Sequence, residues 1–380
     1  MDFALSEDHV LLKEAYRDFA VNQSKPIAAE IDEEERFPME TIKEMGTLGF
    51  LGIPIPEEYG GAGMDDLSYV TCVEEFSKVC ATTGVIISAH TSLCEAPILK
   101  FGSEEQKNKY LPKLATGEWL GAFALTEPSA GTDASMLRTT AEDKGDYYLL
   151  NGSKIFITNA SVADVFIVFA TMDRTKGVKG ISAFLVEKGA PGFSVGAHER
   201  KMGIRGSSTC ELIFENCVVP KENLLGEQGK GFHIAMATLD GGRIGIAAQA
   251  LGIAQGAIDE TVAYTKQRVQ FGKTIAQFQN TQFQLADMQA KVDAARLLVY
   301  RAAWTKGQGE AYGHYAAMAK LVASETASNV TRRCVQLFGG YGYSRDYPVE
   351  RMMRDAKITE IYEGTSEVQK MVISAWMGLK

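Results

Sequence analysis

The chain has 380 residues, of which 46% are hydrophobic and 23% are charged, which is the composition of an ordinary globular protein. This length predicts two or three domains, or one large domain with subdivided cores. The net charge of −9 argues against nucleic acid as the main partner, because phosphate binding requires a positive surface.

The sequence contains no recognisable secretory signal and no apolar run of the roughly 20 residues that a membrane helix needs. The six cysteines form no C-x-x-C pair, and the five histidines have no metal-ligand spacing. We therefore expect free thiols, no metal, no membrane insertion and a reducing compartment. The predicted location is the cytoplasm, or the mitochondrial matrix for a mature eukaryotic chain.

Residues 1–118 are predicted to form a helical domain. Ser6 precedes two acidic residues, and this pattern predicts a helix N-cap followed by charges that favour the positive helix end. Ser103 and Gln106 have the spacing of a capping box. Further helices are predicted over 38–48, 67–79, 84–99 and 104–114.

Residues 119–226 change to a period of two, which predicts β-strands and a small barrel or sandwich. Asn151-Gly152 predicts a type I′ turn that joins strands 147–150 and 154–158 in a hairpin. The other predicted strands are 120–125, 165–172, 181–186 and 211–214.

Residues 227–380 return to a helical pattern, with long helices predicted over 232–267 and 312–338. Between them an apolar stripe at helical spacing predicts a bundle core. The stripe consists of Leu285, Met288, Val292, Ala295, Val299 and Ala302. The predicted fold class is α+β and multidomain: an N-terminal all-helical domain, a middle small β-barrel or sandwich domain and a C-terminal four-helix bundle.

The stretch 358–369 carries three glutamates: Glu360, Glu363 and Glu367. Glu363 is the candidate catalytic residue among the three, because Gly364 follows it and glycine lets a ligand approach the backbone closely. Ser366 and Gln369 have capping-box spacing, so a helix is predicted to restart there, and its dipole explains Glu367. Glu360 is assigned to the polar face of the preceding helical turn. On position alone, a solvated loop acid is an equally good interpretation of Glu363.

Five further segments contain residue types that suit a bound ligand: 123–133, 155–159, 239–243, 268–273 and 336–340. In the second segment Phe156 and Thr158 share one strand face and suit a flat aromatic cofactor. Gly241 and Gly242 each cost a helix about 1 kcal/mol relative to Ala, so the helix must gain ligand room or close packing. Ordinary turns, half-buried strands and helix ends remain alternative interpretations of these segments. Dinucleotide, P-loop and nucleophile-elbow motifs are absent from the sequence.

Taken together, the motifs resemble the acyl-CoA dehydrogenase family, and in particular its short-chain branch. They appear in the family's order along the whole chain and are specific as a set. They are L-T-E-P-S-A-G-T-D-A-S at 125–135, N-G-S-K-I-F-I-T-N at 151–159, R-V-Q-F-G-K at 268–273, Q-L-F-G-G-Y-G-Y at 336–343 and I-Y-E-G-T-S-E-V at 361–368.

The resemblance implies that FAD lies between the β-domain and the C-terminal bundle, with part of its site supplied by a neighbouring subunit of a homotetramer, a dimer of dimers. It implies the dehydrogenation of a short-chain acyl-CoA thioester such as butyryl-CoA to crotonyl-CoA, or the reverse. Glu363 would be the α-proton base and flavin N5 the hydride acceptor. Electron-transferring flavoprotein is the implied partner.

The resemblance also assigns residues to the ligands. The implied FAD-binding residues are Phe123, Leu125, Thr126, Thr132, Phe156, Ile157, Thr158, Arg268, Phe271, Gln279, Gln336, Leu337, Phe338, Gly339, Gly340, Thr365, Ser366 and Glu367. The implied substrate-binding residues are Thr132, Asp240, Arg243, Tyr362 and Gly364.

Some branches of the family place their base just before the arginine of an L-D-x-x-R segment, which is Gly242 here, so the resemblance leaves Glu363 without a rival. A medium-chain or branched-chain dehydrogenase is an alternative, and the pocket lining that would decide it is expected near 85–97. An acyl-CoA oxidase is a second alternative. A non-catalytic flavoprotein of this fold that binds nucleic acid is a third, which the negative charge disfavours.

Overall fold

The computed structural model describes residues 4–379. Residues 1–3 and 380, the ends of the first and last predicted domains, lie outside the described residues. The helices are α1 Glu7–Phe19, α2 Ala28–Glu33, α3 Met39–Thr47, α4 Asp66–Ser77, α5 Ala81–His90, α6 Ala96–Phe101, α7 Glu104–Ala115, α8 Gly231–Gln267, α9 Gln279–Gly307, α10 Gly313–Phe338, α11 Val349–Ile358 and α12 Ser366–Trp376. The strands are β1 Gly121–Ala124, β2 Thr140–Asp143, β3 Tyr147–Thr158, β4 Val165–Thr171, β5 Ile181–Glu187, β6 Phe193–His198, β7 Thr209–Pro220, β8 Leu224–Leu225, β9 Val269–Gln270 and β10 Lys273–Thr274.

The N-terminal helices begin at the residues that the sequence signals predict. The Ser6 side chain caps α1 by accepting the His9 N–H at 3.3 Å, and Ser103 with Gln106 forms a complete capping box on α7. The predicted helix over 84–99 is present as α5 and α6, but a π-helical turn at Thr91–Glu95 joins them. Such turns often occur at functional sites, and this one carries a leucine to the candidate site described below.

Eight strands of the middle region form one sheet in the order β6-β7-β3-β2-β4-β5-β8, with β1 paired to β4. The sheet curls around its own core, because Phe193 on the edge strand β6 contacts Phe166 on β4 with ring centroids 4.9 Å apart. This curled sheet confirms the predicted small β-domain. Strands β2, β6 and β8 of this sheet were not predicted from the sequence, because they are short or poor in apolar residues.

The predicted hairpin at Asn151-Gly152 is wrong. Both residues lie inside the continuous strand β3, which pairs with β2 on one side and with β7 on the other. A bulge falls at this point, and a Cβ on Gly152 would lie 2.7 Å from the Thr139 hydroxyl. Gly152 is therefore required by a close approach between neighbouring strands and not by a turn.

The C-terminal helices α8, α9 and α10 pack on one another, and α11 and α12 complete the bundle against α10. The predicted apolar stripe is buried in α9, for example at Met288, Val292 and Val299. The same core continues into the N-terminal helices, where it includes Tyr16 and Phe76. None of the helices described between residues 4 and 379 has an apolar stretch that could cross a bilayer.

Candidate active site

Glu363 lies in the short connection between α11 and α12, in a backbone conformation that disfavours most side chains. Its φ angle is +53°, and that of Gly364 is +93°. The following helix is capped by Thr365, whose hydroxyl accepts the Val368 N–H at 3.4 Å. The capping box predicted from Ser366 is therefore wrong by one position, because Ser366 is already the first helical residue. A non-glycine residue with positive φ is held there only by its surroundings.

The carboxylate of Glu363 lies directly against Gly242 on α8. A Cβ added to Gly242 would overlap the Oε2 atom of Glu363, and it would stand 2.7 Å from the Leu93 side chain. Leu93 belongs to the π-helical turn after α5. The glycine in the middle of this long helix is thus explained by the room that it leaves for Glu363.

The Oε2 atom of Glu363 is buried and has no hydrogen-bond partner within the described residues. Burial raises the pKa of Glu363 to about 8, against the opposing attraction of Lys320 and then Arg243. The residue as a whole is only partly buried, so its carboxylate is enclosed while the chain segment remains reachable. A buried carboxylate without a partner is uncommon and indicates a functional role.

The neighbouring Tyr362 is held rigidly beside Glu363. Its hydroxyl bonds the side-chain oxygen of Gln249, and the Gln249 amide donates in turn to the Ala81 carbonyl at 3.0 Å. This chain of bonds connects the candidate site to α8 and α5. The ring of Tyr362 therefore forms a fixed wall next to the glutamate.

The predicted substrate residues Asp240 and Arg243 flank Gly242 on α8. They form an ion pair at 2.6 Å, and the Nε atom of Arg243 is buried without a hydrogen-bond partner in the described part of the chain. Burial raises the pKa of Asp240, while Arg243 acts to lower it. The structure thus places a half-satisfied arginine directly after Gly242, against which the Glu363 carboxylate lies.

The two segments that the sequence analysis assigned to a flat cofactor are joined to each other. The Ile155 N–H donates to the Thr126 carbonyl at 2.9 Å. A bulge in β3 then gives Phe156 a φ angle of +58° and leaves its ring 59% exposed. Thr126 and Thr158 are partly buried, whereas Leu125 and Ile157 are buried. An exposed ring together with half-buried hydroxyls suits a planar heterocycle.

A buried ion pair that the sequence analysis missed supports this loop. Lys154 is fully buried, and its Nζ atom donates to Glu127 at 2.7 Å and to the Leu125 carbonyl at 3.2 Å. Glu127 also accepts the backbone N–H groups of Arg138 and Thr139. Opposite charges in two candidate ligand segments were the available signal, but only the folded sheet brings them together.

The remaining cofactor candidates form a second group at one end of the bundle. The Arg268 guanidinium lies 5.5 Å from the ring of Tyr341, and Tyr264 donates to the Phe338 carbonyl at 3.3 Å. Phe271, between β9 and β10, is 94% exposed. Other members are also open: Gln279 and Gln336 are exposed, and Gly339 and Gly340 have free space where a side chain would stand.

Three predicted contact residues are less available than the resemblance implies. The Phe338 side chain is buried and stacks on Tyr264 with ring centroids 4.0 Å apart. The Thr365 hydroxyl is occupied as a helix cap, and the Ser366 hydroxyl is buried without a partner. The remaining members of that set, Thr132 and Glu367, are exposed, and Phe123 and Leu337 are partly buried.

The residues present fit FAD. The β-domain offers an exposed aromatic ring and threonine hydroxyls, which suit a flavin, and the bundle end offers an arginine and open glycines, which suit a diphosphate. Within residues 4–379, no hydrogen bond or ring contact connects the β-domain group with the Arg268 group. The two groups are therefore separate sets of candidate cofactor residues.

Comparison with known proteins covers all three regions of the chain. The family models for the N-terminal, middle and C-terminal domains of acyl-CoA dehydrogenase match residues 6–118, 122–217 and 229–378. The short-chain specific acyl-CoA dehydrogenase of Clostridium acetobutylicum is 62% identical over 374 residues, covering 98% of this chain and 99% of that protein.

Solved structures agree with this assignment. Butyryl-CoA dehydrogenase from Megasphaera elsdenii has a TM-score of 0.98 and 52% identity, covering 99% of this chain and 100% of its own. A chain from a study of the electron transferring flavoprotein of Acidaminococcus fermentans and flavin-based electron bifurcation has a TM-score of 0.98 and 57% identity, covering 99% of both chains. PigA, solved as an FAD complex, has a TM-score of 0.95 and 33% identity, covering 100% of both chains. The chain belongs to the acyl-CoA dehydrogenase family.

Proposed function

We propose that this protein converts a short-chain acyl-CoA such as butyryl-CoA to the trans-2-enoyl-CoA, or runs the reverse reaction, with Glu363 as the base for the α proton. The observation that carries this proposal is the Oε2 atom of Glu363, which is buried, has no hydrogen-bond partner among residues 4–379 and lies against Gly242. Structural carboxylates use their oxygens in hydrogen bonds, whereas this oxygen is free to accept a proton from a ligand.

The raised pKa of Glu363 makes it a stronger base than an ordinary carboxylate. A general base works best when its pKa lies near the operating pH, and burial brings the pKa of Glu363 to about 8. The backbone N–H of Glu363 donates no hydrogen bond within the described residues. That N–H is therefore available to the thioester carbonyl, where negative charge develops as the α proton leaves.

The substrate's other contacts come from the same surroundings. We assign Tyr362 as the wall of the acyl pocket and Gly364 as the point at which the thioester approaches the backbone. Asp240, Arg243 and Thr132 are assigned to the rest of the CoA ligand. The unpartnered Nε atom of Arg243 supports this, because a buried guanidinium donor favours an acceptor from the ligand.

FAD is the cofactor. When bound, its flavin would supply the acceptor for the β hydrogen, which would leave as hydride. Thr126 and Thr158 would hold the flavin edge and Phe156 its face, while Arg268 and residues 336–340 would hold the diphosphate and adenosine. We propose that the second group serves the FAD of a neighbouring subunit in a homotetramer. The lack of contact between the two groups and the 94% exposure of Phe271 support this arrangement.

We further propose that electrons pass to an electron-transferring flavoprotein. The similarity to the Acidaminococcus chain supports this partner. We also propose a cytoplasmic location, which the similarity to proteins of Clostridium acetobutylicum and Bacillus subtilis supports. The direction of the reaction then depends on the electron partner.

The experiment that tests the function is anaerobic titration of the purified yellow protein with acyl-CoA thioesters. Butyryl-CoA should bleach the flavin absorbance at a higher rate than octanoyl-CoA or isobutyryl-CoA. Faster bleaching by either of the other two would assign the medium-chain or branched-chain reaction instead. Oxygen consumption that kept pace with turnover would assign an oxidase.

A folded but colourless protein, or a flavin that no acyl-CoA bleaches, would contradict the proposed function. The matched control is crotonyl-CoA, the product, which should perturb the flavin spectrum without bleaching it.

A further inference from the structure

A fully buried lysine of α10 holds the chain segment that carries Glu363. Lys320 has no exposed surface, and its Nζ atom donates to the Gly364 carbonyl at 2.7 Å. It forms no ion pair with any carboxylate in the part of the chain that is described. Burying a lysine is costly unless its charge is compensated, so its position requires an explanation.

The carbonyl that Lys320 holds follows Glu363 directly in the chain. Glu363 has a φ angle of +53°, a conformation that persists only where neighbouring groups enforce it. Gln369 contributes to the same restraint, since its amide donates to the Gly364 carbonyl at 2.8 Å and to the Glu363 carbonyl at 3.3 Å. A charged donor and a neutral donor therefore act on one backbone segment.

Charge links Lys320 to Glu363 as well. Lys320 is the strongest influence favouring the ionised form of Glu363, and Glu363 is the strongest influence favouring the charged form of Lys320. The other charged or titratable groups that face Glu363 are Arg243 on α8, Tyr69 on α4 and the adjacent Tyr362. Neither tyrosine is charged near neutral pH, because burial raises the pKa of both phenols.

Two more acids of the same segment act on Lys320 and not on Glu363. Glu360 and Glu367 both favour its charged form, while Arg243 opposes it. Burial is the largest influence on Lys320, and it lowers the pKa of the lysine to about 8 although the acids oppose it. The lysine thus stays largely protonated at neutral pH beside the acid segment.

We propose that Lys320 is a positioning residue for the reaction: its buried ammonium fixes the Gly364 carbonyl, holds Glu363 over Gly242 and favours the ionised carboxylate there. This inference rests on the proposed role of Glu363 as the base. A hydrogen bond to a charged donor is stronger than one to a neutral amide, so Lys320 outweighs Gln369 in holding the segment.

The chain itself offers the matched control, because Lys320 and Gln369 donate to the same oxygen and only Lys320 carries charge. The test compares Lys320→Met and Gln369→Met by FAD content and by the pH dependence of kcat/KM for butyryl-CoA with a dye acceptor. The acid limb of the profile is the pH range over which kcat/KM rises as Glu363 ionises. In Lys320→Met we expect this limb to shift to higher pH by roughly one unit, as loss of a nearby opposite charge predicts. In Gln369→Met the rate should fall while the limb stays in place.

Lys320→Arg, which keeps the charge, should leave the limb near its wild-type position. A Lys320→Met profile with an unmoved limb, or identical behaviour of the two methionine variants, would show that Lys320 is only a structural support. If Lys320→Met fails to retain FAD, Lys320→Gln replaces it, and an unmoved limb there overturns the inference equally.

Glu363→Gln separates this inference from the proposed function. Retained turnover in Glu363→Gln would remove the base itself and the inference with it. Lost turnover in Glu363→Gln, combined with an unmoved limb in the Lys320 variants, would leave the base in place and reject only the role of Lys320.

Discussion

Two glutamate–lysine pairs near the candidate site are built in opposite ways. Glu127 forms a direct ion pair with Lys154 at 2.7 Å, and it also accepts two backbone N–H groups. Glu363 keeps one oxygen without a partner, and Lys320 donates to the neighbouring backbone instead of to the carboxylate. Both lysines are fully buried, so burial alone does not distinguish the pairs.

The difference lies in what each carboxylate does with its hydrogen-bonding capacity. Burial acts to raise the pKa of both glutamates, but Lys154 and the hydrogen bonds bring the pKa of Glu127 below its ordinary value. At Glu363 burial prevails, and the pKa rises to about 8. A satisfied carboxylate stabilises the fold, whereas an unsatisfied one is ready to exchange a proton.

The largest effect on stability is expected at the satisfied pair. Glu127→Gln leaves the Lys154 charge buried without its partner and should lower the free energy of unfolding by about 3–5 kcal/mol at neutral pH. Urea unfolding measures this, with Glu127→Gln/Lys154→Met as the control that should recover part of the loss. The folded-state pKa of Glu127 is lowered, so the stability is present above the unfolded pKa of about 4.3 and is lost as pH falls. A loss below about 1 kcal/mol would contradict a structural role for this pair.

The second prediction concerns the room beside Glu363. In Gly242→Ala the new Cβ would overlap Oε2, so the carboxylate must move. We expect kcat/KM for butyryl-CoA to fall about 10²-fold with FAD content unchanged, since small misplacements of catalytic groups have effects of this size. Gly241→Ala is the matched control, because its Cβ would meet only ordinary contacts, and its kcat/KM should be much closer to wild type. Equal losses in both variants would contradict the packing of Glu363 on Gly242.

The third prediction is a pH dependence that reverses with the direction of reaction. Removing the α proton requires ionised Glu363, so kcat/KM for oxidation should rise about tenfold per pH unit up to a pH of about 8. Reduction of the enoyl-CoA requires protonated Glu363, so its kcat/KM should fall above that pH. Initial rates with butyryl-CoA and crotonyl-CoA measure the two profiles. Profiles of the same sign in both directions would exclude Glu363 as the group that titrates.

The smallest expected effect is a gain in stability at the unsatisfied pair. The folded-state pKa of Glu363 is raised, so its stabilising contribution is present below the unfolded pKa and is lost as pH rises towards about 8. Glu363→Gln should therefore raise the free energy of unfolding at high pH by at most about 1 kcal/mol, because the residue is partly exposed. Thermal unfolding at acid and at alkaline pH checks this. A loss of stability in Glu363→Gln at alkaline pH would contradict this, because it would show that Glu363, like Glu127, stabilises the fold.

Much of the architecture could be predicted from periodicity and capping signals. The long helices α8 and α10 end where glycine or strand patterns interrupt them, and the buried stripe of α9 follows its apolar spacing. The turn signal Asn151-Gly152 failed, because pairing of β3 with strands on both sides overrides a local preference. Local chemistry is decisive only where tertiary contacts do not compete with it.

The candidate site residues could be named from the sequence, but the contacts between them could not. Glu363 stood out because Gly364 follows it, yet its packing on the distant Gly242 depends on how α8 meets the last loop. Lys320 gave no signal, because a lysine in a sequence is expected to lie at the surface, and Lys154 gave only a charge opposite to that of Glu127. Buried charges are visible only once the fold shows which groups surround them.

The measurement that tests the central claim most directly is single-turnover bleaching of the flavin by butyryl-CoA in Glu363→Gln, followed anaerobically beside the wild type. Glutamine keeps the shape of the side chain but cannot take the α proton. We predict normal FAD content with a bleaching rate reduced by at least ~10²–10⁴-fold, the usual contribution of a general base. Bleaching at the wild-type rate would contradict the assignment of Glu363 as the base.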